Sequence, residues 1–279
     1  MRRSAYTWRT FGLELLLLVV AVVFFVPFYV AAAISLKSAS DVYSKPLAFP
    51  SNPDFSGYRT AWHGNASSSL GHSLVNSIVI TGASVVGLVV IGSLAAYALA
   101  RRPSRMSTLL YVLFLLGLIV PFQLGIVPLY VALRHLHLNQ QYGGMILLYI
   151  GLLMPLSVFL YTGFIRALPR DYEEASYVDG ASSLRTFLRI VFPLLRPVTG
   201  TVIVLSAILI WNDFFTQLIF LSGSRQQTLP VAIYSFVGEY VSQWNQIFAA
   251  VIISILPILA FYVVAQRQLI RGFAGGVKG

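Results

Sequence analysis

Two residue patterns in this chain could carry chemistry, and both lie beside long apolar runs. Asp213, within Trp211-Asn212-Asp213-Phe214-Phe215, places a carboxylate in apolar surroundings. Such a group costs about 2.5–3.5 kcal/mol at the centre of a lipid-exposed helix and normally faces a bundle interior or a water-filled cavity. With Asn212 it is a candidate for a hydrogen bond to a passing solute or for a gate; the plain alternative is a structural hydrogen bond between helices. The second pattern is DYEEASYVDGASSLRTFLRIVFP at 171–193. It holds no set of groups arranged for catalysis, and its chemistry is that of a shaped polar surface. His135 and His137 place two imidazoles close together, but a zinc site takes three or four ligands, and His63 and His72 lie in a distant segment. No metal site is expected. The absence of cysteine removes disulfides, thiol catalysis and thiolate metal sites. The sequence also lacks a G-x-x-x-x-G-K-[ST] phosphate loop. No catalytic residue is assigned.

The elements that must position these residues are membrane spans. The 279 residues are 57% hydrophobic and 10% charged, with a mean hydropathy of +0.79; a soluble domain of this length needs more charge to cover its surface. A helical span takes about 20 apolar residues. Six runs qualify, roughly 12–34, 74–99, 107–131, 144–166, 198–220 and 246–265, so the expected fold is an all-α membrane protein with six transmembrane helices. The first run follows Arg2, Arg3 and Arg9 and is followed by Ala31-Ala32-Ala33, as a signal peptide would be. It is longer than the about 7–15 residues of a signal core, and an uncleaved span is expected. Glu14, near the inner end of this run, is expected to snorkel to the interface.

Charge sets the orientation. With both termini inside, 14 of the 19 Lys and Arg residues fall on inner segments, and only Lys37, Lys45, Arg59, Arg134 and Arg225 fall outside. This matches the positive-inside rule, so the net charge of +10 reads as topology. The chain divides into residues 1–36 (an N-terminal cytoplasmic segment and first span), an outer loop at 37–72, a five-helix core at 73–265 and a cytoplasmic tail at 266–279. The core includes the cytoplasmic loop 167–197 and the outer loop 222–245. The expected location is the cell membrane, with several passes.

Within the spans, Gly82, Gly87, Gly92 and Ser93 leave room for close helix packing. Pro121 and Pro128 should break or kink the third run. The segment VPFQLGIVP is therefore a candidate for lining a pathway, with Gln123 as its polar group and Tyr130 beside it. A kinked helix packed against neighbours is the alternative. The outer segment 222–245 is either a loop that meets an external protein or an aromatic hairpin at the interface. Asn65-Ala66-Ser67 matches a glycosylation acceptor, a weak three-residue signal.

In the polar stretch, Asp171 with Glu174 forms a candidate capping box, opening a helix from Tyr172 to about Asp179. Gly180 sits where a left-handed C′ residue ends a helix. Ser183 is a candidate cap for a second helix, on which Leu184, Phe187, Leu188 and Val191 form one apolar stripe. Helix, glycine turn, helix is the expectation, with Ala175 and Ser176 as a small-residue surface. An amphipathic connector on the membrane surface is the alternative.

The spacing Glu174-Ala175-Ser176, three residues, Gly180, nine residues, Ile190, one residue, Phe192-Pro193 resembles the EAA motif of ATP-binding-cassette (ABC) importer permeases. Ser176 stands where the family has Ala and Phe192 where it has Leu. SLAAYALAR at 93–101, GFIRALPRDYEEASYVDGAS at 163–182, WND at 211–213, TLP at 228–230 and the glycine-ended tail at 266–279 also resemble carbohydrate-importer permeases of the maltose type. The resemblance covers nearly the whole chain and implies a MetI-like permease core. It implies a second, homologous permease, two ATP-binding cassette subunits and an extracytoplasmic solute-binding protein as partners. No nucleic acid is implied. ATP and Mg²⁺ would be bound by the cassette subunits, with no cofactor on this chain. By the same resemblance, Glu173, Glu174, Ala175, Ser176, Asp179, Gly180, Ala181, Ile190 and Pro193 would couple to the ATPase, and Gly275, Gly276, Lys278 and Gly279 would reach it from the tail. Gln123, Tyr130, Asn212 and Asp213 are the candidates for the translocation pathway. Import of another solute, such as a glycerol phosphodiester or an amino acid, is an alternative; a self-contained secondary transporter is another. The sugar itself is not readable from the sequence.

Overall fold

A computed structural model describes residues 8–64, 69–102, 104–237 and 243–275, with 264–275 described for their backbone alone. Among these residues every regular element is a helix. Residues up to Leu70 with Ile233–Ile255 form one compact unit, and Gly71–Ala232 with the stretch from Leu256 onward form another.

The first unit opens with α1 (Trp8–Ser35). Its residues 11–29 are exposed on every side, as suits an apolar helix with all backbone groups bonded internally in lipid. Two short helices follow, α2 (Ala39–Ser44) and α3 (Ser56–His63). The segment is tied down locally. Lys37 is buried, and its Nζ donates to the carbonyls of Lys45 (2.6 Å) and Pro46 (2.8 Å). The Ser35 and Tyr58 hydroxyls pair at 2.8 Å.

The second unit is built on α4 (Leu70–Arg101), α5 (Arg105–Ile119), α6 (Ile126–His135) and α7 (Tyr142–Ala167). Close packing of α4 on α7 depends on small residues. Buried Ser157 donates to the Leu88 carbonyl (3.0 Å), and a Cβ added at Gly92 would collide with the Ser157 side chain, as one at Gly87 would with Ile150. Gly82, grouped with them on sequence, faces open space. Gly92→Leu should therefore wedge the two helices apart and destabilise the fold by about 1–3 kcal/mol, the usual range for overpacking, seen as a lowered thermal midpoint in detergent; Gly82→Leu should not.

The third apolar run is broken rather than continuous. Helix α5 ends at Ile119, and its cap residue Val120 is extended, as the residue before a proline prefers. A 3₁₀ turn over Phe122–Gly125 leads into α6, and the two pieces meet at 96°. Pro128 falls in the first turn of α6, where its missing N–H has no partner to lose.

After α7 come α8 (Asp171–Val178), α9 (Ser183–Thr186), a π turn over Phe187–Val191, α10 (Phe192–Leu194) and α11 (Arg196–Asn212). The part before Leu195 makes 75° with α11. The run expected as one span over 198–220 stops at Asn212; Asp213 is extended, and α12 (Phe215–Leu221) and α13 (Leu229–Tyr234) follow. The last helix is α14 (Trp244–Gly275). Among the described residues, four helices are long and apolar enough to cross a membrane, and up to six spans result if each bent pair counts as one. Two apolar clusters hold the second unit together, one around Leu88, Met145, Ile210 and Phe220, the other around Tyr161, Ile165, Phe187 and Leu195. The chain is an all-α, multi-pass membrane protein.

Candidate functional site

The polar stretch forms the expected helix, turn and helix, with corrections in detail. Helix α8 is not opened by an Asp171–Glu174 capping box. Arg170 is the cap residue, its backbone already helical, and no side chain caps the end. The Arg170 carbonyl accepts from the amides of Glu173 (2.8 Å) and Glu174 (3.0 Å), so Asp171 lies inside the first turn. There Asp171, Glu173 and Glu174 complement the positive end of the helix.

The C-terminal end of α8 is closed by Gly180, at φ +77°. Its amide donates to the Tyr177 carbonyl (3.0 Å), and the Ala181 amide donates to that of Ser176 (2.9 Å). This is the full Schellman pair of bonds, and it needs a left-handed residue at its centre. Ser182, extended after the turn, caps α9 by accepting from the Arg185 amide (3.4 Å). Ser183, the expected cap, is one residue too late. The expected apolar stripe also divides. Phe187 and Val191 are buried while Leu184 and Leu188 are exposed, because the π turn at 187–191 rotates the residues away from the regular helical spacing.

The loop has an inner and an outer face. Inward, the Ser176 and Thr186 hydroxyls pair at 2.8 Å, which joins α8 to α9. Glu173 is 5% exposed and is held by the end of α4: Arg101 Nε donates to Oε1 at 2.7 Å and the Tyr97 hydroxyl donates to Oε2 at 3.0 Å. Arg101 Nη2 also donates to the Leu168 carbonyl, at 3.1 Å. The Phe187 ring packs on Tyr97 at 5.1 Å. Removing one member of such a buried pair strands the other charge, at a cost of about 3–5 kcal/mol. Outward lie Glu174, Ala175, Asp179 and Gly180, beside Tyr177 and Val178, which is 88% exposed. Ala181, Ile190 and Pro193 are half-buried. Of the two residues expected to form a small-residue surface, Ala175 is exposed and Ser176 faces inward.

The remaining sequence candidates separate. Asn212 is exposed, with Nδ2 on the Ile208 carbonyl (2.9 Å). Asp213 is half-buried and twice bonded: Oδ2 accepts from the Tyr149 hydroxyl (2.9 Å) and Oδ1 from the Thr216 amide (3.1 Å) at the start of α12. Tyr149 in turn accepts from Gln217 Nε2 (2.9 Å), which also donates to the Ile210 carbonyl (2.8 Å). Gln217 Oε1 accepts from the Thr228 hydroxyl. The chain Asp213–Tyr149–Gln217–Thr228 thus links the WND and TLP segments through α7. A parallel tie runs from Tyr142 to Asn76 (2.5 Å), and from Asn76 to the carbonyls of Arg225 (3.0 Å) and Gln227 (2.8 Å). Tyr149→Phe leaves buried Gln217 and Asp213 each one partner short; an unfolding midpoint lowered by about 1–3 kcal/mol is expected, measured by denaturant titration in detergent.

Tyr130 accepts from Asn139 Nδ2 (3.2 Å), and its ring packs at a tilt on Phe220, with centroids 6.0 Å apart. The broken third run borders an open apolar groove of ≈ 540 Å³, walled in part by Pro121, Gly125, Pro128, Gly151 and Pro155. Gln123 is exposed and is not among its walls. Gly275 ends α14, and Gly276, Lys278 and Gly279 lie outside the described residues, as do Asn65-Ala66-Ser67.

Sequence reading missed Arg101, Tyr97, Thr186, Tyr149 and Gln217 as partners. For two of them a signal existed: Tyr97 and Arg101 are four apart on a helix and so share a face.

Comparison with known proteins places these features in a wider set. The family model described as "Binding-protein-dependent transport system inner membrane component" matches residues 88–275. The chain is 37% identical over 279 residues to the melibiose/raffinose/stachyose import permease protein MelC of Bacillus subtilis (strain 168), covering 99% of this chain and 100% of that one. It is 32% identical over 275 residues to the multiple sugar-binding transport system permease protein MsmG of Streptococcus mutans serotype c, covering 97% and 96%. In fold it resembles a chain in the crystal structure of a bacterial ABC transporter involved in the import of the acidic polysaccharide alginate. That match has a TM-score of 0.79 at 23% identity and covers 94% of this chain and 98% of the other.

Proposed function

Because the chain belongs to the family of inner membrane components of binding-protein-dependent transport systems, we infer that it is the permease subunit of an ABC importer for a carbohydrate. Full-length similarity to sugar import permeases is the observation that carries this. In this reading it forms half of the translocation pathway. A second permease forms the other half, and two cassette subunits bind and hydrolyse ATP with Mg²⁺. A solute-binding protein delivers the sugar from outside. The excess of Lys and Arg on one set of segments supports a cell-membrane protein with both termini in the cytoplasm.

The loop is the handle. Glu174, Ala175 and Asp179, with exposed Tyr177 and Val178, form a mixed polar and apolar end that suits a groove on an ATPase subunit. Gly180, Ala181, Ser176, Ile190 and Pro193 shape and seat it, and Gly275, Gly276, Lys278 and Gly279 are proposed as further contacts with the same partner. Closure of the ATPase pair then biases this chain between inward- and outward-open states through contacts that differ between them. Gln123, Tyr130, Asn212 and Asp213 are the polar groups proposed to border the path. The test is uptake of a panel of labelled oligosaccharides by the complex purified with its companions and reconstituted in vesicles. Sugar uptake that needs both internal ATP and the binding protein is expected. Uptake that persists without ATP under a proton gradient would instead assign a secondary transporter.

A further inference from the structure

We propose that Arg101 is a positioning residue through which the loop moves α4, giving the coupling loop a second mechanical output besides its covalent continuation into α11. The proposal rests on the coupling reading above and deepens it. Its observation is the juxtaposition of three elements at one guanidinium. Arg101 closes α4, its Nε meets Glu173 of α8 at 2.7 Å, and its Nη2 meets the carbonyl of Leu168, which closes α7, at 3.1 Å. The side chains of Arg101 and Glu173 are 11% and 7% exposed, so the pair is shielded from salt and water, and attraction within it is stronger than at a surface.

The loop itself is built to move as one body. Its turn is locked by the two Gly180 and Ala181 bonds, and α8 is pinned to α9 by Ser176 and Thr186. Tyr97 adds further ties to α4: its hydroxyl donates to Glu173 (3.0 Å) and lies 3.3 Å from that of Tyr177, and its ring packs on Phe187 at 5.1 Å. A push on the outer face of α8 is therefore passed inward at Glu173. Were Arg101 only a topology charge, a solvated end would serve it as well. A planar fork engaged by two acceptors on two elements serves position.

The experiment uses the complete transporter in lipid vesicles and reads solute moved per ATP hydrolysed. Arg101→Gln and Glu173→Gln each strand a buried charge and lower stability; in the complexes that still assemble, each should lower that ratio by about tenfold while ATP hydrolysis stays within about twofold, a coupling loss. Arg101→Lys keeps the charge but not the fork and should fall between. The reversal Arg101→Glu with Glu173→Arg should restore much of the ratio, as a pairwise interaction requires. Singles that leave the ratio unchanged, or a reversal no better than either single, would overturn the proposal. A readout that leaves the pair intact uses spin labels on cysteines placed at exposed Arg102 and Arg185 in a chain with no native cysteine. Their separation should stay constant between nucleotide-free and ATP-bound states, and a change of several ångströms would overturn the strut. If Glu174→Lys leaves transport intact, the coupling reading itself fails; if it blocks transport while Arg101→Gln does not, only the strut fails.

Discussion

Gly180→Pro is expected to stop solute uptake while the chain still inserts and assembles. Gly180 holds φ +77° and donates its amide to Tyr177. Proline is locked near φ −65° and has no amide hydrogen, so both requirements fail at once. The Schellman pair then opens, and with it the register that makes Ser182 rather than Ser183 the cap of α9. Two bonds at about 1 kcal/mol each, plus the backbone conflict, exceed the strength of the turn. The turn is exposed, so the apolar clusters that hold the spans are not touched. Transport should drop by about a hundredfold or more, which about 2.8 kcal/mol of lost coupling produces, while the assembled complex is recovered at a normal level. Gly180→Ala, with only a Cβ in the left-handed region and open space around it, should lose far less. Normal uptake by Gly180→Pro would reduce the loop to a connector.

Glu174→Lys should give a comparable loss for the opposite reason. Glu174 is exposed, and its neighbour Glu173 is the carboxylate that anchors α8 to Arg101. Reversal of the exposed charge forfeits its favourable place at the N-terminal end of α8 and should cost the fold no more than about 1 kcal/mol. At a docked, desolvated interface, however, removing one partner of a charge pair costs about 2–5 kcal/mol. Uptake should fall about thirtyfold or more, with ATP hydrolysis separating from transport and the unfolding midpoint at most slightly lowered. A parallel loss of thermal stability would mean that Glu174, like Glu173, serves the inside of the loop. The two adjacent glutamates thus make a built-in comparison, one turned inward to Arg101 and one turned outward to the partner.

Much of this protein was legible from its residues. Apolar runs as long as the bilayer needs specify membrane spans because transfer free energy is a local quantity that sums along the chain. The glycine turn at Gly180 was equally readable, since only glycine adopts a left-handed backbone without a steric cost. Pro121 announced a break in the third run for a similarly local reason, the missing amide and the restriction on Val120.

Other features were decided only by packing. Which of two neighbouring glutamates turns inward depends on where the end of α4 lies, and Arg101 is 72 residues away from Glu173 in sequence. The same holds for Asp213, whose partner Tyr149 comes from α7 at a separation of 64, and for Gly92, whose small size matters because Ser157 lies opposite whereas Gly82 meets nothing. The π turn at 187–191 overrode a clean helical period, burying Phe187 and Val191 and exposing Leu184 and Leu188. Sequence by itself determined the apolar runs, the break at Pro121 and the glycine-closed loop, though not the stop of the fifth run at Asn212, because hydropathy, proline geometry and glycine φ act over a few residues. Tertiary structure alone decided which polar groups meet, because hydrogen bonds and ion pairs in a membrane bundle form between helices whose registers no local pattern records.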